Sequence, residues 1–193
     1  MSVPFDTTAV SSLAQSIEGR AGPLQLVSGA QMRLWLPALS IPPAWTVAVA
    51  DGAAVTRVLL RPSVGDAHWD GCEVVNLYRV SGSVPRRLVL DNADRTLRDG
   101  HAADITVSVL DVRAHYGIIA TRASGLLRSG NRLVHSHFHN YVINTAAGGA
   151  LVEQALVCGA DVPAEVTEEV GELTEGLYRS LLASIDRPQD PRL

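Results

Sequence analysis

Three histidines stand at alternate positions in the segment VHSHFHNY, and they are half of the 6 histidines in this chain of 193 residues. In a β-strand, residues two apart point to the same face and lie about 6.5 Å from each other. His135, His137 and His139 would therefore form a row of imidazoles on one face. Such a row could hold a metal ion, take part in proton transfer, or bind a partner through hydrogen bonds.

A metal centre needs several ligands that converge on one ion, with further groups that orient them. Three residues in line on one strand suit two-point ligation at best, and no motif supplies a carboxylate or a further histidine beside them. We therefore predict no metal, no other cofactor and no catalytic residue. A metal-dependent or ligand-modifying enzyme centred on His135, His137 and His139 is kept as the alternative.

The strand before the histidines determines what lies beside them. If the Ser-Gly pair of RSGN forms a two-residue turn, His137 lies opposite Arg122 and His135 lies opposite Ser124. A permanent cation beside His137 disfavours the binding of a second cation. The row then suits an anionic or hydrogen-bonding partner, and its positive charge should rise as the pH falls through about 6.5. The predicted binding residues are Arg122, Ser124, His135, His137 and His139.

The other face of the histidine strand carries valines and Phe138, which makes it the better candidate for the core. We therefore expect the histidines to face solvent, a groove or a partner. Truncating a buried phenylalanine costs about 3–5 kcal/mol, so Phe138→Ala should destabilise the protein more than His137→Ala. On the far side of the strand, a turn in TAAGG would bring Cys158 toward His137 or His139.

The histidine strand belongs to a run of three strands joined by the turn-forming segments RSGN and TAAGG. The three predicted strands are Tyr116 to Leu127, Arg132 to Asn144 and Ala150 to Cys158. Earlier runs rich in β-branched and aromatic residues predict further strands. These runs are MRLWLPAL, WTVAVAD, VTRVLLRPSV, CEVVNLYRV and DITVSVLDVR.

Helical spacing of apolar residues predicts three helices. They are Thr7 to Glu18, the segment PRRLVLDNADRTLRDG, and the segment PAEVTEEVGELTEGLYRSLLASI near the end. Because the strands cluster and are joined by tight turns, the sheet should be largely antiparallel. We predict a single α+β domain over residues 1–187, a sandwich of this sheet flanked by helices, and a flexible tail over residues 188–193.

This order of elements resembles the Mog/PsbP-like fold, and within it the LpqN and LpqT lipoprotein family of mycobacteria. The resemblance rests on the proline–tryptophan strand entry SIPPAWTVA, the helix in RRLVLDNADRTLRDG, and a final hairpin of RLVHSHFHNYVIN with GALVEQALVCG. Members of this fold act mostly by binding, so the resemblance implies a binding or accessory protein. Those lipoproteins carry a secretion signal and a lipidated cysteine near the start. The segment MSVPFDTTAV has neither, so membrane anchoring is not implied.

The composition argues against several classes of function. A formal net charge of −4 and a pI near 5.8 give no electrostatic attraction to nucleic acid or anionic lipid. The apolar runs are shorter than the roughly 18 residues that a membrane span needs. All 16 basic residues are arginine, which is typical of GC-rich coding as in actinobacteria. Since the start resembles no export signal, we expect a cytoplasmic protein in which Cys72 and Cys158 are reduced and not bonded to each other.

The function that these observations favour is non-enzymatic. We expect an accessory or protein-interaction protein that uses an exposed sheet face or a groove to bind a partner protein or a small ligand. A carrier of lipophilic ligands is a third hypothesis beside the enzyme alternative, because a sheet covered by helices can open an apolar groove. Association into homo-oligomers is left open.

Overall fold

The computed structural model describes residues 12–37, 39–48, 55–63, 69–112, 117–146 and 148–185. Its helices are α1 (Leu13–Ala21), α2 (Gly29–Trp35), α3 (Arg86–Asp91), α4 (Arg95–Asp99) and α5 (Ala164–Ile185). Its strands are β1 (Leu24–Leu26), β2 (Thr46–Val47), β3 (Arg57–Pro62), β4 (Trp69–Val80), β5 (Ala103–Leu110), β6 (Ile118–Ser129), β7 (Arg132–Thr145) and β8 (Gly148–Gly159). None of the helices in these ranges is long and apolar enough to cross a membrane.

The eight strands form one sheet in which neighbouring strands are antiparallel. Its order is β2-β3-β4-β8-β7-β6-β5, and β1 pairs with the last residues of β4. The predicted run of three strands is confirmed, with the histidine strand β7 in the middle. Strand β4 precedes this run by many residues and joins it through its pairing with β8.

Helices cover both faces of the sheet. Helix α5 lies on one face and buries the stripe that its helical spacing predicts, formed by Val166, Val170, Leu173, Leu177 and Leu181. The opposite face is covered by α1, α3 and α4. Each large apolar side chain removed from water contributes roughly 1.5–3 kcal/mol, so burial of the stripe holds α5 on the sheet. The predicted fold class, an α+β sandwich with an antiparallel sheet, is confirmed.

The segment MRLWLPAL does not form the predicted strand, because its first half lies in helix α2. Ser28 and Gln31 cap the first turn of this helix, each side chain accepting a hydrogen bond from the backbone N–H of the other residue. The cap satisfies two N–H groups that a helix start would otherwise leave unpaired. This local signal outweighs the β-propensity of the apolar residues that follow it.

The segment predicted as one helix after Pro85 forms two short helices, α3 and α4. Asn92 lies between them, and its side-chain amide donates to the carbonyl oxygen of Leu88 over 2.7 Å. An asparagine that bonds the backbone in this way competes with helical hydrogen bonding. The first predicted helix is present as α1 from Leu13 onward, while residues 7–11 and the predicted tail lie outside the described residues.

The two cysteines lie on neighbouring strands but point to opposite faces of the sheet. Cys158 pairs with Gly71, one position before Cys72, and adjacent residues of a strand alternate between faces. Both thiols are buried and unbonded, and burial raises the pKa of Cys72 to about 12. We expect the mass of the denatured protein to be the same with and without a reductant. A sample lighter by two hydrogens before reduction would contradict this arrangement of β4 and β8.

Candidate functional site

The hairpin between β6 and β7 sets the neighbours of the histidines. Ser129 pairs with Arg132, so the turn consists of Gly130 and Asn131, and Gly130 adopts the positive φ of 59° that a tight turn requires. The predicted turn began one residue earlier. The predicted cross-strand pairs are therefore wrong by two residues along β7. The observed pairs are Arg122 with His139, Ser124 with His137, and Leu126 with His135.

A shift of two residues keeps every side chain on its predicted face, because the side-chain period of a strand is two. All three histidines share the face of the sheet that α5 covers in part. Their exposure differs along the strand: His135 is exposed, His137 is half-buried, and His139 exposes only 2% of its surface. The expectation that all three imidazoles are accessible is wrong for His139, because β7 runs beneath the apolar cluster that includes Tyr141 and Leu177.

Phe138 is half-buried on the opposite face of β7, where it packs against the cluster around α4. Neither face of this strand is therefore simply core or simply solvent. The expected cost of Phe138→Ala falls below the range for a fully buried phenylalanine, because part of this ring is in water before the truncation. That Phe138→Ala destabilises the protein more than His137→Ala stays a prediction.

A hydrogen bond ties the buried histidine to an exposed cation. Nε of Arg122 donates to Nε2 of His139 over 2.8 Å, and the Arg122 side chain is otherwise exposed to solvent. Burial lowers the pKa of His139 to about 3, with further lowering from the charges of Arg122 and His137. Burial also lowers the pKa of His137, as do His135 and Arg122. His137 and His139 are thus neutral at neutral pH, and the expectation that the row gains charge at about pH 6.5 is wrong for both.

The part of the sheet beyond α5 presents a polar surface on the same side. We define the open polar face as Thr106 on β5, Arg122 and Ser124 on β6, and His135 and His137 on β7. The hydroxyl oxygens of Thr106 and Ser124 lie 2.7 Å apart, so a hydrogen bond joins two of these strands. The predicted residues are thereby brought together, except His139, which supports the face from below.

The geometry of the histidines disfavours nucleophilic and metal chemistry. The lone pair on Nε2 of His139 is already used by Arg122. Within the described ranges, no group of three His, Cys, Asp or Glu side chains is placed to hold a metal ion. Cys158 pairs with His135, and the expectation that it lies near His137 or His139 is wrong. Burial raises the pKa of Cys158, which leaves its thiol a weak nucleophile.

Three buried polar residues behind the face were missed by the sequence patterns. Arg57, Glu73 and Gln154 lie beneath or beside α5, and Nη2 of Arg57 lies 2.6 Å from Oε2 of Glu73. Nε2 of Gln154 donates to Oε1 of Glu73 over 2.7 Å. Burial raises the pKa of Glu73, while Arg57 and Gln154 oppose this shift. A signal was present in CEVVNLYRV, where Glu73 stands in an otherwise apolar half of a strand.

A cavity of about 610 Å³ lies away from the histidines. It opens where β5 ends and β6 begins, beside the start of α3. Its lining mixes apolar and polar groups, among them Val84, Val109, Val112, Asp111, Ile118 and Asn144. The size is that of small-ligand sites, but the lining lacks the predominance of apolar side chains that a lipophilic carrier needs.

Comparison of the sequence with protein-family models and with curated proteins gives no match. Among solved structures, LpqN of Mycobacterium tuberculosis, described as involved in cell envelope biogenesis, is 14% identical. The match covers 87% of this chain and 94% of LpqN, with a TM-score of 0.61.

Two further structures have lower TM-scores. A protein of Bacteroides thetaiotaomicron is 16% identical, with 77% of this chain and 46% of that protein covered and a TM-score of 0.46. Human StAR-related lipid transfer protein 5 is 12% identical, with 81% and 96% covered and a TM-score of 0.26. Likenesses this weak carry no argument about fold or function. The chain has the fold of LpqN, and the resemblance to LpqN-like proteins that the order of its elements predicts is confirmed.

Proposed function

We propose that this chain is a non-enzymatic binding protein that docks a partner protein on the open polar face. The observation that carries the proposal is the state of Arg122. Its guanidinium is exposed, is fixed through Nε by a buried imidazole, and has no carboxylate partner among the described residues. A charged group held in one orientation loses less side-chain entropy when it binds than a freely rotating one does.

The surroundings of Arg122 suit a polar contact. His137 is neutral, and the hydroxyls of Thr106 and Ser124 add hydrogen-bonding groups on the same face. Strand β5 lies at the end of the sheet, and its polar side faces away from the helices on the opposite face, which leaves room for a partner. The likeness to LpqN, which is described as involved in cell envelope biogenesis, supports an accessory role without naming the partner.

The two alternatives depend on other features. An enzyme centred on the histidines would require His139 to release Arg122. The enzyme alternative would be favoured by a metal content near one ion per chain that is lost in a variant without the three imidazoles. A small-ligand carrier would use the cavity beside α3, which no predicted binding residue lines. The carrier alternative would be supported by a ligand that stays bound through purification and is lost when a larger side chain fills the cavity, for instance in Val109→Trp.

Replacing Arg122 with glutamine tests the proposal. We expect at least a tenfold loss of partner capture from an extract of the source organism, since tenfold corresponds to about 1.4 kcal/mol. Arg87→Gln is the matched control, because this arginine is 92% exposed on α3, on the opposite face. Quantitative mass spectrometry of the captured proteins measures both variants. Equal capture by the wild type and the Arg122 variant would contradict the proposal.

A further inference from the structure

Five polar side chains form a row across the sheet, beneath and beside α5. In order along the row they are Arg57 on β3, Glu73 on β4, Gln154 on β8, His139 on β7 and Arg122 on β6. All but Arg122 are largely or fully buried. Apolar side chains of similar volume would hold such a layer at least as well as buried charges do. A polar row in this place therefore points to a role besides packing.

The hydrogen bonds at the two ends of the row point in one direction. Gln154 donates to Glu73, which also forms an ion pair with Arg57, and Arg122 donates to His139. Between the ends, His139 pairs with Gln154 across β7 and β8, so the two side chains are neighbours on one face. Both Nδ1 of His139 and Oε1 of Gln154 are buried without a hydrogen-bond partner in the described ranges. One proton on Nδ1 would satisfy both atoms, because Oε1 can only accept.

We infer that Glu73 and Gln154 are positioning residues, which fix His139 as the neutral tautomer protonated on Nδ1 and so hold Arg122 as a site for a single carboxylate. Glu73 holds the amide group of Gln154 by accepting from its Nε2, so Oε1 of Gln154 is directed at His139. Nδ1–H of His139 donates to that oxygen, and Nε2 keeps the lone pair that accepts from Arg122. The opposite tautomer would set an N–H of His139 against an N–H of Arg122.

The lowered pKa of His139 agrees with a neutral imidazole, and the interaction with Gln154 is the one contribution that acts against this lowering. The groups that face His139 are Arg122 and His137 on its flanks and Gln154 on β8. None of these carries a negative charge that would hold a proton on both nitrogens. The chain of donors ends at Glu73, two strands away.

The free end of Arg122 determines the class of ligand. With Nε taken, Nη1 and Nη2 remain, and their two parallel N–H groups match the two oxygens of a planar carboxylate. Arg122 is the only arginine among the residues of the open polar face, so its single charge balances one carboxylate. Of the two hydroxyl protons on Thr106 and Ser124, one is used in their mutual bond and one is free to donate. The inference rests on the proposed function, since the carboxylate would belong to the docked partner.

Nitrogen NMR of isotope-labelled protein tests the positioning role. We expect the wild type to show His139 protonated on Nδ1 alone at neutral pH, with a slowly exchanging Nε–H on Arg122. Gln154→Met keeps the volume but removes the acceptor, so both signatures should be lost while unfolding stays cooperative. If that variant does not fold, Glu73→Gln serves instead and should broaden or shift the same two signals. A wild-type His139 protonated on Nε2, or on both nitrogens, would overturn the inference.

Titration with sodium acetate, against sodium chloride at equal ionic strength, tests the carboxylate site. We expect saturable shifts of the Arg122 Nη signals with acetate only, retained in Arg87→Gln and several-fold weaker in Gln154→Met. The absence of a saturable shift would overturn the site. Binding of inorganic phosphate more than tenfold tighter than that of acetate would also overturn it. Partner capture separates this inference from the proposed function. If the Arg122→Gln variant still captures the partner protein while acetate binds the wild type, the proposed function is contradicted and the carboxylate site is not.

Discussion

Replacing Glu73 with leucine is expected to lower the free energy of unfolding by about 3–5 kcal/mol, the cost of leaving a buried charge without its partner. Glu73 exposes none of its side chain, and Arg57, its ion-pair partner, exposes 8%. Without the carboxylate, the guanidinium of Arg57 stays in the apolar layer beneath α5 with no anion beside it. Gln154 loses its acceptor on Glu73 but keeps the carbonyl oxygen of Leu173 at 3.3 Å. Urea unfolding followed by circular dichroism measures the change.

The double variant Arg57→Met, Glu73→Leu separates the cost of an unpaired charge from the cost of altered packing. It removes both charges, so much of the lost stability should return. Asp91→Ala is the control, because the Arg87–Asp91 pair on α3 is exposed and its loss should cost about 0.5 kcal/mol or less. If the single Glu73 variant were as mild as this control, the carboxyl group would not be the buried partner of Arg57.

Acidification should destabilise the wild type relative to a His139→Gln variant by about 2 kcal/mol between pH 7.5 and about pH 5. The pKa of His139 falls from 6.5 to about 3 on folding, so in this range the unfolded chain binds a proton that the folded chain does not. The contribution of His139 is complete above about pH 6.5 and is lost progressively as the pH falls toward 3. Each pH unit in that window is worth about 1.4 kcal/mol.

The wild type must be compared with the His139→Gln variant because buried carboxyl groups change the stability with pH in the opposite sense to His139. Burial raises the pKa of Glu153 to about 7, against the hydrogen bond from the backbone N–H of Ala14. Its folded form takes up a proton before the unfolded form does, so its contribution to stability grows as the pH falls from 7. The difference between wild type and His139→Gln cancels this effect.

His135→Gln is the control for the pH experiment, because His135 is exposed and lies on the same face of the same strand. Its stability should follow that of the wild type from about pH 7.5 to about pH 5. Denaturant midpoints at several pH values measure all three proteins. A pH-independent difference between the wild type and His139→Gln would show that His139 titrates normally, and would contradict its burial as a neutral imidazole.

The meander of β6, β7 and β8 and the long helix α5 could be predicted from the sequence, because their signals are local. Two turn-forming segments mark the ends of β7, and a buried stripe of apolar residues marks α5. Helix α2 was missed because its cap at Ser28 and Gln31 is a two-residue signal just before an apolar run that favours a strand. The order of elements was sufficient to indicate the LpqN fold at 14% identity, since packing depends on pattern more than on residue identity.

For the candidate site, the sequence by itself determined which residues share a face. The period of two places His135, His137 and His139 on one side, and an error of two residues in the register did not alter that. Exposure was decided only by the tertiary structure, because α5 covers one end of β7 and leaves the other end open. The same packing brings Glu73, from a strand far away in the sequence, into contact with Gln154, which pairs with His139. No local pattern encodes this proximity, since the pairing of β4 with β8 depends on the whole sheet.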